Sequence, residues 1–228
     1  MKFVFEKDSK EYSKMGGKAT ALAKIGRAID NIPDWFCVTF EGFDLENKEI
    51  KPEAIEEIKS KLNDFSDDTY FAIRSSAASE DSNANSFAGQ FDTFLYVKKQ
   101  DVIARVKDVY MSGFSDRVTA YKEENNINEV TVPAAIVQKM VNSEKAGVAF
   151  GVNPITSNMK EIVVSAVWGL GSGLVDGIAT ADTYTVSGDK ISKKIATKDY
   201  YHKLVNDEVK EETNLRQQRN FSSKRFSL

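Results

Sequence analysis

The 228-residue sequence has few of the residues on which several protein classes depend. It holds one cysteine, Cys37, and one histidine, His202. A disulfide framework, a cysteine-based zinc site and a histidine-rich metal centre are therefore excluded, and a Ser-His-Asp triad is disfavoured. The scarcity of cysteine is typical of a protein of the reducing cytoplasm, which is the location we expect.

Long apolar runs and an excess of positive charge are also missing. No stretch approaches the ~18–20 apolar residues of a membrane span, and charged residues 6–8 interrupt any signal-like start, so we expect no membrane partner. Lys and Arg number 31 against 34 Asp and Glu, a formal net charge of −3. Such a chain has no basic field for a nucleic-acid backbone, and we expect no nucleic-acid partner.

The remaining composition is that of an ordinary folded protein. Hydrophobic residues make up 41% and aromatic residues 11% of the chain, which argues against disorder and against repetitive fibrous structures. A chain of this length can bury a real core and corresponds to one large domain or two small ones.

A glycine turn at residues 16–18 is the first candidate site. The apolar residues that follow it recur at helical spacing and predict one face of a helix: Leu22, Ile25 and Ile29. Lys18 would lie in the first turn of that helix, where a cation is favourable only beside an anion. The Walker A motif is not matched, because Tyr12 and Ala19 stand at positions that need glycine and Ser or Thr. The alternative is a helix start with a solvated lysine.

Arg74 is the second candidate, because it ends the apolar strand predicted at residues 70–73. A guanidinium on a rigid strand offers a planar fork that suits phosphate oxygens. The alternative is an ion pair with Glu80 or Asp81. Residues 75–90, which follow, are small and polar and predict a functional loop closed by an aromatic and a glycine.

Strands dominate the sequence after Pro133, and a run of three glycines at residues 169–173 follows one of them. Such a run means either a backbone close to a group such as phosphate or a tight loop between strands. His202 is expected to be an ordinary exposed histidine rather than a phosphoryl acceptor.

In order and approximate spacing, the segments resemble the N-terminal nucleotide-binding domain of phosphoenolpyruvate synthase, a domain type also found in pyruvate phosphate dikinase and rifampicin phosphotransferase. The segments that carry the resemblance are residues 16–19, 72–77, 80–81, 86–93, 137–141, 146–150, 153–156, 168–171 and 182–184. The resemblance covers about residues 1–200.

The resemblance implies an α+β fold of the ATP-grasp type, with two lobes of mostly antiparallel sheet that hold ATP. It implies that residues 1–132 form the N-terminal lobe and that residues 133–200 form part of a second lobe with the adenine hinge. Residues 201–228 are a charged tail that we expect to pack poorly. The family's domain continues further, so we expect the C-terminal part of the fold to be missing here.

The resemblance also assigns site residues. Lys18 and Arg74 would contact the ATP phosphates and act as the catalytic pair. The residues expected to cover the terminal phosphates are Gly89, Gln90 and Thr93. The hinge along which adenine lies would comprise Gln138, Lys139, Met140 and Val141.

The function implied is that of the ATP-binding portion of a phosphoenolpyruvate synthase-like dikinase. The complete enzyme transfers a phosphoryl group from ATP to its own histidine, outside this chain, and then to pyruvate, with release of AMP and phosphate. Its phosphohistidine and pyruvate-binding domains would be partners of this chain. The Mg²⁺ carboxylates also lie in the missing part, so we expect no metal ligands here and a poor catalyst. The alternatives are a non-catalytic nucleotide-binding or interaction module, and the ATP domain of a related phosphotransferase with another acceptor.

Overall fold

The computed structural model describes residues 2–77, 90–125, 127, 132–177, 179–198, 200–205 and 208–213. Helices are mixed with antiparallel sheets, so the predicted α+β class is confirmed. The chain divides into two compact units, residues 1–141 and residues 142–228. Within the described part of the chain, every helix is too short or too polar to cross a membrane.

The first unit is built on a five-stranded antiparallel sheet with the strand order β1-β2-β7-β5-β6. Its elements are, in chain order, β1 (Val4–Glu6), α1 (Tyr12–Ile25), β2 (Trp35–Val38), β3 (Phe43–Asp44), β4 (Glu49–Ile50), α2 (Pro52–Leu62), β5 (Tyr70–Ser76), β6 (Thr93–Lys98), α3 (Val102–Ser112), α4 (Asp116–Glu124) and β7 (Ala134–Lys139). The small β3–β4 hairpin stands apart from this sheet.

One face of the five-stranded sheet packs on α2 and α3. Alternate residues of β5, Phe71 and Ile73, lie in this core together with Val137 of β7. The helices contribute Ile58 and Tyr110, both fully buried. This face holds the larger of the hydrophobic clusters and keeps the central strands in place.

The opposite face packs on α1 through small side chains. Ala19 and Ala23 are fully buried against strand residues that include Ile136, whereas Ile25 and Ile29 are 48% and 51% exposed. The predicted apolar face was therefore wrong for Ile25 and Ile29, although Leu22 packs against this core, and the helix ends at Ile25. Periodicity selects the largest side chains, but a helix that lies close to a sheet presents its smallest ones.

Strand β7 is a central strand of the first sheet, hydrogen-bonded to β2 on one side and β5 on the other. The division between the compact units accordingly falls after Val141, whereas the sequence analysis divided the chain after residue 132. A sequence shows that a strand is present, but not which strands it pairs with.

The second unit contains a four-stranded antiparallel sheet, in the order β11-β10-β9-β8, and a separate hairpin. Its elements are β8 (Lys145–Phe150), β9 (Ile162–Trp168), α5 (Ser172–Val175), β10 (Asp182–Ser187), β11 (Lys190–Lys194), β12 (Tyr200–Val205) and β13 (Glu208–Thr213). Residues 201–228 were expected to form a charged tail that packs poorly, but within that range β12 and β13 pair over their full length.

His202, on β12, was expected to be exposed, but it is buried. Its side chain is 8% exposed, and its Nδ1 lies 2.7 Å from the Ser172 hydroxyl.

The single thiol of the chain gives a test of the first unit's packing. Cys37 is fully buried between α1 and the sheet, and burial raises the pKa of its thiol. Because the thiolate is the reactive form, we expect native Cys37 to react with a thiol reagent at least about 100-fold more slowly than in denaturing urea. Rapid labelling of the native protein would contradict this packing.

Candidate functional site

The glycine turn at the start of the chain breaks α1 into two helical segments. Gly16 has φ +73° and ψ 175°, a conformation that strongly favours glycine. A Cβ at this position would lie 2.0 Å from the backbone carbonyl oxygen of Ser76. The break places Lys18 at the start of the second helical segment, as the sequence predicted.

Ser76 holds the same turn against the end of β5 through hydrogen bonds. The sequence analysis did not single out this residue. The buried Ser76 hydroxyl donates a hydrogen bond to the Met15 carbonyl at 2.8 Å and accepts one from the Ala19 amide at 3.0 Å. The Gly17 amide also donates to the Ala77 carbonyl at 2.9 Å. These bonds on both sides of the break fix the start of the helix relative to β5, and we call them the Ser76 clasp.

Lys18 reaches the strand that carries Arg74. Its Nζ lies 3.4 Å from the hydroxyl oxygen of Ser75, the residue directly after Arg74. This contact brings Lys18 to the end of β5 that carries Arg74. Because successive side chains of a strand point to opposite faces, it does not fix the distance between Lys18 and the Arg74 guanidinium. The convergence of both cations on one ligand stays a prediction.

Arg74 is half-buried and has a single side-chain hydrogen bond in the described part of the chain. Its Nη1 donates to the Gln138 Oε1 at 3.4 Å, and no described carboxylate lies within 4.0 Å of the guanidinium. A guanidinium carries five N–H donors, so the described residues use only a small part of its hydrogen-bonding capacity. The alternative ion pair with Glu80 or Asp81 concerns residues outside those that the structure describes.

The Arg74 face of β5 continues onto its two neighbouring strands. Thr93 of β6, an exposed residue, is directly opposite Arg74, and Gln138 of β7 is opposite Ala72. Gln90 precedes β6 with its carbonyl held by the Arg117 guanidinium at 2.8 Å. Gly89 lies outside the described residues. Of the described residues that were expected to cover the phosphates, Thr93 therefore lies on the same face of the sheet as Arg74.

The predicted adenine hinge begins in β7 and continues past its end. Two of its backbone N–H groups are already used, because Lys139 donates to the Asp34 carbonyl and Met140 to the Tyr70 carbonyl, both at 2.8 Å. The amide of Val141 has no hydrogen bond within the described part of the chain. Past the end of β7, the Met140 amide is therefore occupied by a described partner and the Val141 amide is not.

The described residues contain no cluster of metal-binding side chains. Among them, no group of three or more His, Cys, Asp or Glu side chains comes close enough to hold a metal ion. Magnesium at nucleotide sites is usually bound by one or two carboxylates together with substrate phosphates and water.

The glycine-rich loop of the second unit packs tightly against the β12–β13 hairpin of the same unit. Gly169 has φ +69°, and a Cβ there would lie 2.2 Å from the His202 carbonyl oxygen. The Leu170 amide donates to the same oxygen at 2.9 Å. Close packing between strands therefore explains the glycine at position 169. This was one of the two interpretations that the sequence left open.

The fold and the site together define a candidate anion-binding α+β domain, and comparisons with known proteins identify its class. The sequence matches the family model of the pyruvate phosphate dikinase AMP/ATP-binding domain over residues 44–227. A probable phosphoenolpyruvate synthase of Pyrococcus horikoshii is 42% identical over 163 residues, covering 68% of this chain and 20% of the relative. The rifampicin phosphotransferase of Bacillus cereus is 41% identical over 154 residues, covering 66% and 18%. That of Bacillus subtilis is 30% identical over 236 residues, covering 86% and 27%.

The chain belongs to the pyruvate phosphate dikinase AMP/ATP-binding domain family, since the family model matches well over half of its length. The resemblance proposed from the sequence is thereby confirmed. The chain spans about a fifth to a quarter of the length of these relatives. Arg74 and the hinge residues lie inside the matched range, and Lys18 precedes it.

The Ser76 clasp can be tested through Cys37, whose Sγ lies 3.7 Å from the Met15 carbonyl oxygen. Ser76→Ala leaves a buried acceptor and a buried donor without their partner, which costs about 1–3 kcal/mol. We expect native-state labelling of Cys37 to accelerate by the matching factor of roughly 5–150.

Ser112→Ala is the matched control, because Ser112 is also buried but donates to Val109 within its own helix. Such a bond contributes little, and alanine is the better helix former, so labelling of Cys37 should change by less than about 5-fold. Equal effects of the two substitutions would show that the clasp has no special role.

Proposed function

We propose that this chain is the ATP-binding portion of a phosphoenolpyruvate synthase-like dikinase with an ATP-grasp fold of two lobes. The complete enzyme would transfer a phosphoryl group from ATP, through a histidine outside these residues, to pyruvate. The observation that carries the proposal is Arg74, a half-buried guanidinium on a rigid strand with one described hydrogen bond. Membership of the AMP/ATP-binding domain family supports a nucleotide as its ligand.

The phosphate end of the site would lie where the glycine turn meets the end of β5. Arg74 would hold two phosphate oxygens through its planar fork, and Lys18 would add a compact charge beside a helix start. Thr93, exposed and directly opposite Arg74, is placed to donate a hydroxyl hydrogen bond. These residues bind and orient the triphosphate and stabilise charge on it during transfer.

The base end of the site would lie at the hinge. Val141 offers a backbone N–H, and Met140, which is half-buried, offers an apolar surface. A purine in an apolar slot with one or two backbone hydrogen bonds is the usual arrangement in such sites. Gln138 would take part at both ends of the site. It belongs to the proposed hinge, and its side-chain oxygen accepts a hydrogen bond from the Arg74 guanidinium.

The phosphoryl acceptor within the enzyme would not be His202. Its ring is 8% exposed, and one ring nitrogen is hydrogen-bonded to Ser172. A phosphoryl acceptor must instead present a nitrogen to the terminal phosphate in line for displacement. The phosphohistidine and pyruvate-binding domains of the complete enzyme are therefore the partners that we propose.

A second candidate differs only in the final acceptor. Relatives named rifampicin phosphotransferase match the chain about as closely as those named phosphoenolpyruvate synthase. The nucleotide site would be the same in both, since the acceptor is chosen elsewhere. Titration of the chain with ATP, AMP and adenosine tests what both candidates share. Absence of ATP binding would overturn both.

Arg74→Lys tests the guanidinium fork. The substitution keeps the charge but loses the paired donors, so the affinity for ATP should fall by about 1–3 kcal/mol, with little change in stability. Arg105→Lys is the control, because Arg105 is exposed and pairs with Asp108 on the surface of α3. Calorimetric titration should find the control unchanged, and an equal loss in both variants would contradict the assignment.

Lys18→Ala tests the second cation. Removal of a phosphate contact should weaken ATP by about 1–3 kcal/mol and leave adenosine unaffected, because the nucleoside lacks phosphate. Lys59→Ala, which removes an exposed lysine paired with Glu56, should alter neither affinity. A parallel loss of ATP and adenosine binding in Lys18→Ala would indicate that the substitution disturbs the fold instead of the phosphate contact.

A further inference from the structure

The pairing of β5 with β6 contains an irregularity beside Arg74. Phe71 pairs with Val97 and Ile73 with Phe94, so Leu95 and Tyr96 together stand opposite the single residue Ala72. This is a β-bulge, and Tyr96 within it has φ +54°. A positive φ is strained for an aromatic residue, and such strain is retained where the surrounding structure requires it.

The bulge turns Tyr96 toward the Arg74 face. Phe94 and Val97 on either side pack with the core beneath α2 and α3, so the two inserted residues face the other way. The Tyr96 ring meets the edge of Tyr70 at 5.8 Å between centroids and 68° between planes. Tyr70 lies on the Arg74 face by the alternation of β5, because Phe71 lies in the opposite core.

Tyr70 is also the cross-strand neighbour of the hinge. The Met140 amide donates to the Tyr70 carbonyl at 2.8 Å, and the register that pairs Ala72 with Gln138 places Met140 opposite Tyr70. Arg74 lies four positions after Tyr70 along the strand, a distance of ~13 Å at 3.3 Å per residue. That distance is comparable to the reach of an extended nucleoside triphosphate from its base to its terminal phosphates.

We propose that the half-buried ring of Tyr70 contacts the base of the bound nucleotide, and that Tyr96 is the positioning residue that holds this ring. The inference rests on the proposed function and deepens it, because it adds an aromatic ring to the base end proposed at the hinge. Tyr70 and Met140, cross-strand neighbours on one face of the sheet, would together form an apolar surface for a planar base. The bulge, the positive φ and the ring contact serve one purpose, which is to fix the orientation of Tyr70.

The test compares ligands that share only part of ATP: adenosine for the base and inorganic tripolyphosphate for the phosphates. Stacking of a base on an aromatic ring is worth roughly 5–150-fold in affinity when the ring is truncated. Tyr70→Ala should therefore weaken adenosine and ATP by the same factor within that range and leave tripolyphosphate unchanged. Tyr70→Phe should retain wild-type affinities. If Tyr70→Ala does not fold, Tyr70→Leu, which keeps the bulk without the planar ring, should give the same pattern.

Phe65→Ala is the matched control, because Phe65 makes a similar edge contact with Phe71 on the opposite face of the same sheet. It should lower stability without changing the ratio of adenosine to tripolyphosphate affinity. Tyr96→Gly relieves the positive φ and removes the positioning ring, so it should weaken adenosine and not tripolyphosphate. In combination with Tyr70→Ala it should add nothing further, because both substitutions act through one ring.

The outcomes separate this inference from the proposed function. If wild-type protein binds tripolyphosphate and ATP but Tyr70→Ala leaves adenosine affinity unchanged, the inference is overturned and the proposed function stands. An equal loss of adenosine and tripolyphosphate affinity in Tyr70→Ala also overturns it, because the ring would then be structural. If wild-type protein binds none of the three ligands, both are overturned.

Discussion

The site depends on one backbone conformation, the positive φ of Gly16. Any side chain there would collide with the Ser76 carbonyl, so glycine alone lets α1 break and lie against the end of β5. The Ser76 hydroxyl then satisfies groups on both sides of the break. A lysine that stands 56 positions before Arg74 in sequence is thereby fixed at the same strand. The cost of the unusual turn is offset by hydrogen bonds that form only when the strand is in place.

The five-stranded sheet divides structural and chemical tasks between its faces. Phe71 and Ile73 point into the core that α2 and α3 close, whereas Tyr70 and Arg74 point to the other face. Rigidity in the core fixes the aim of the side chains on the opposite face. A strand buried on one face and polar on the other therefore supplies both the stability and the geometry of the candidate site.

The sequence located the glycine turn and the strand that carries Arg74 better than it predicted the packing around them. The glycine turn and the strand that carries Arg74 are visible because glycine and arginine interrupt apolar patterns, although the strand continues to Ser76 instead of ending at Arg74. The buried face of α1 was mispredicted because alanines at 19 and 23, not the isoleucines, touch the sheet. Ser76 and the bulge at Tyr96 were missed because their roles depend on residues distant in sequence or on strand register. A single sequence does not show which strands pair or in which register they do so.

The central claim is that the glycine turn and the end of β5 together bind the phosphates of ATP. A crystal structure of the chain with bound ATP tests it most directly. The account predicts the triphosphate within hydrogen-bond distance of both the Lys18 ammonium and the Arg74 guanidinium, with the base beside Met140. A triphosphate bound instead at the glycine-rich loop of residues 169–173, or bound with Arg74 turned away from it, would contradict the account.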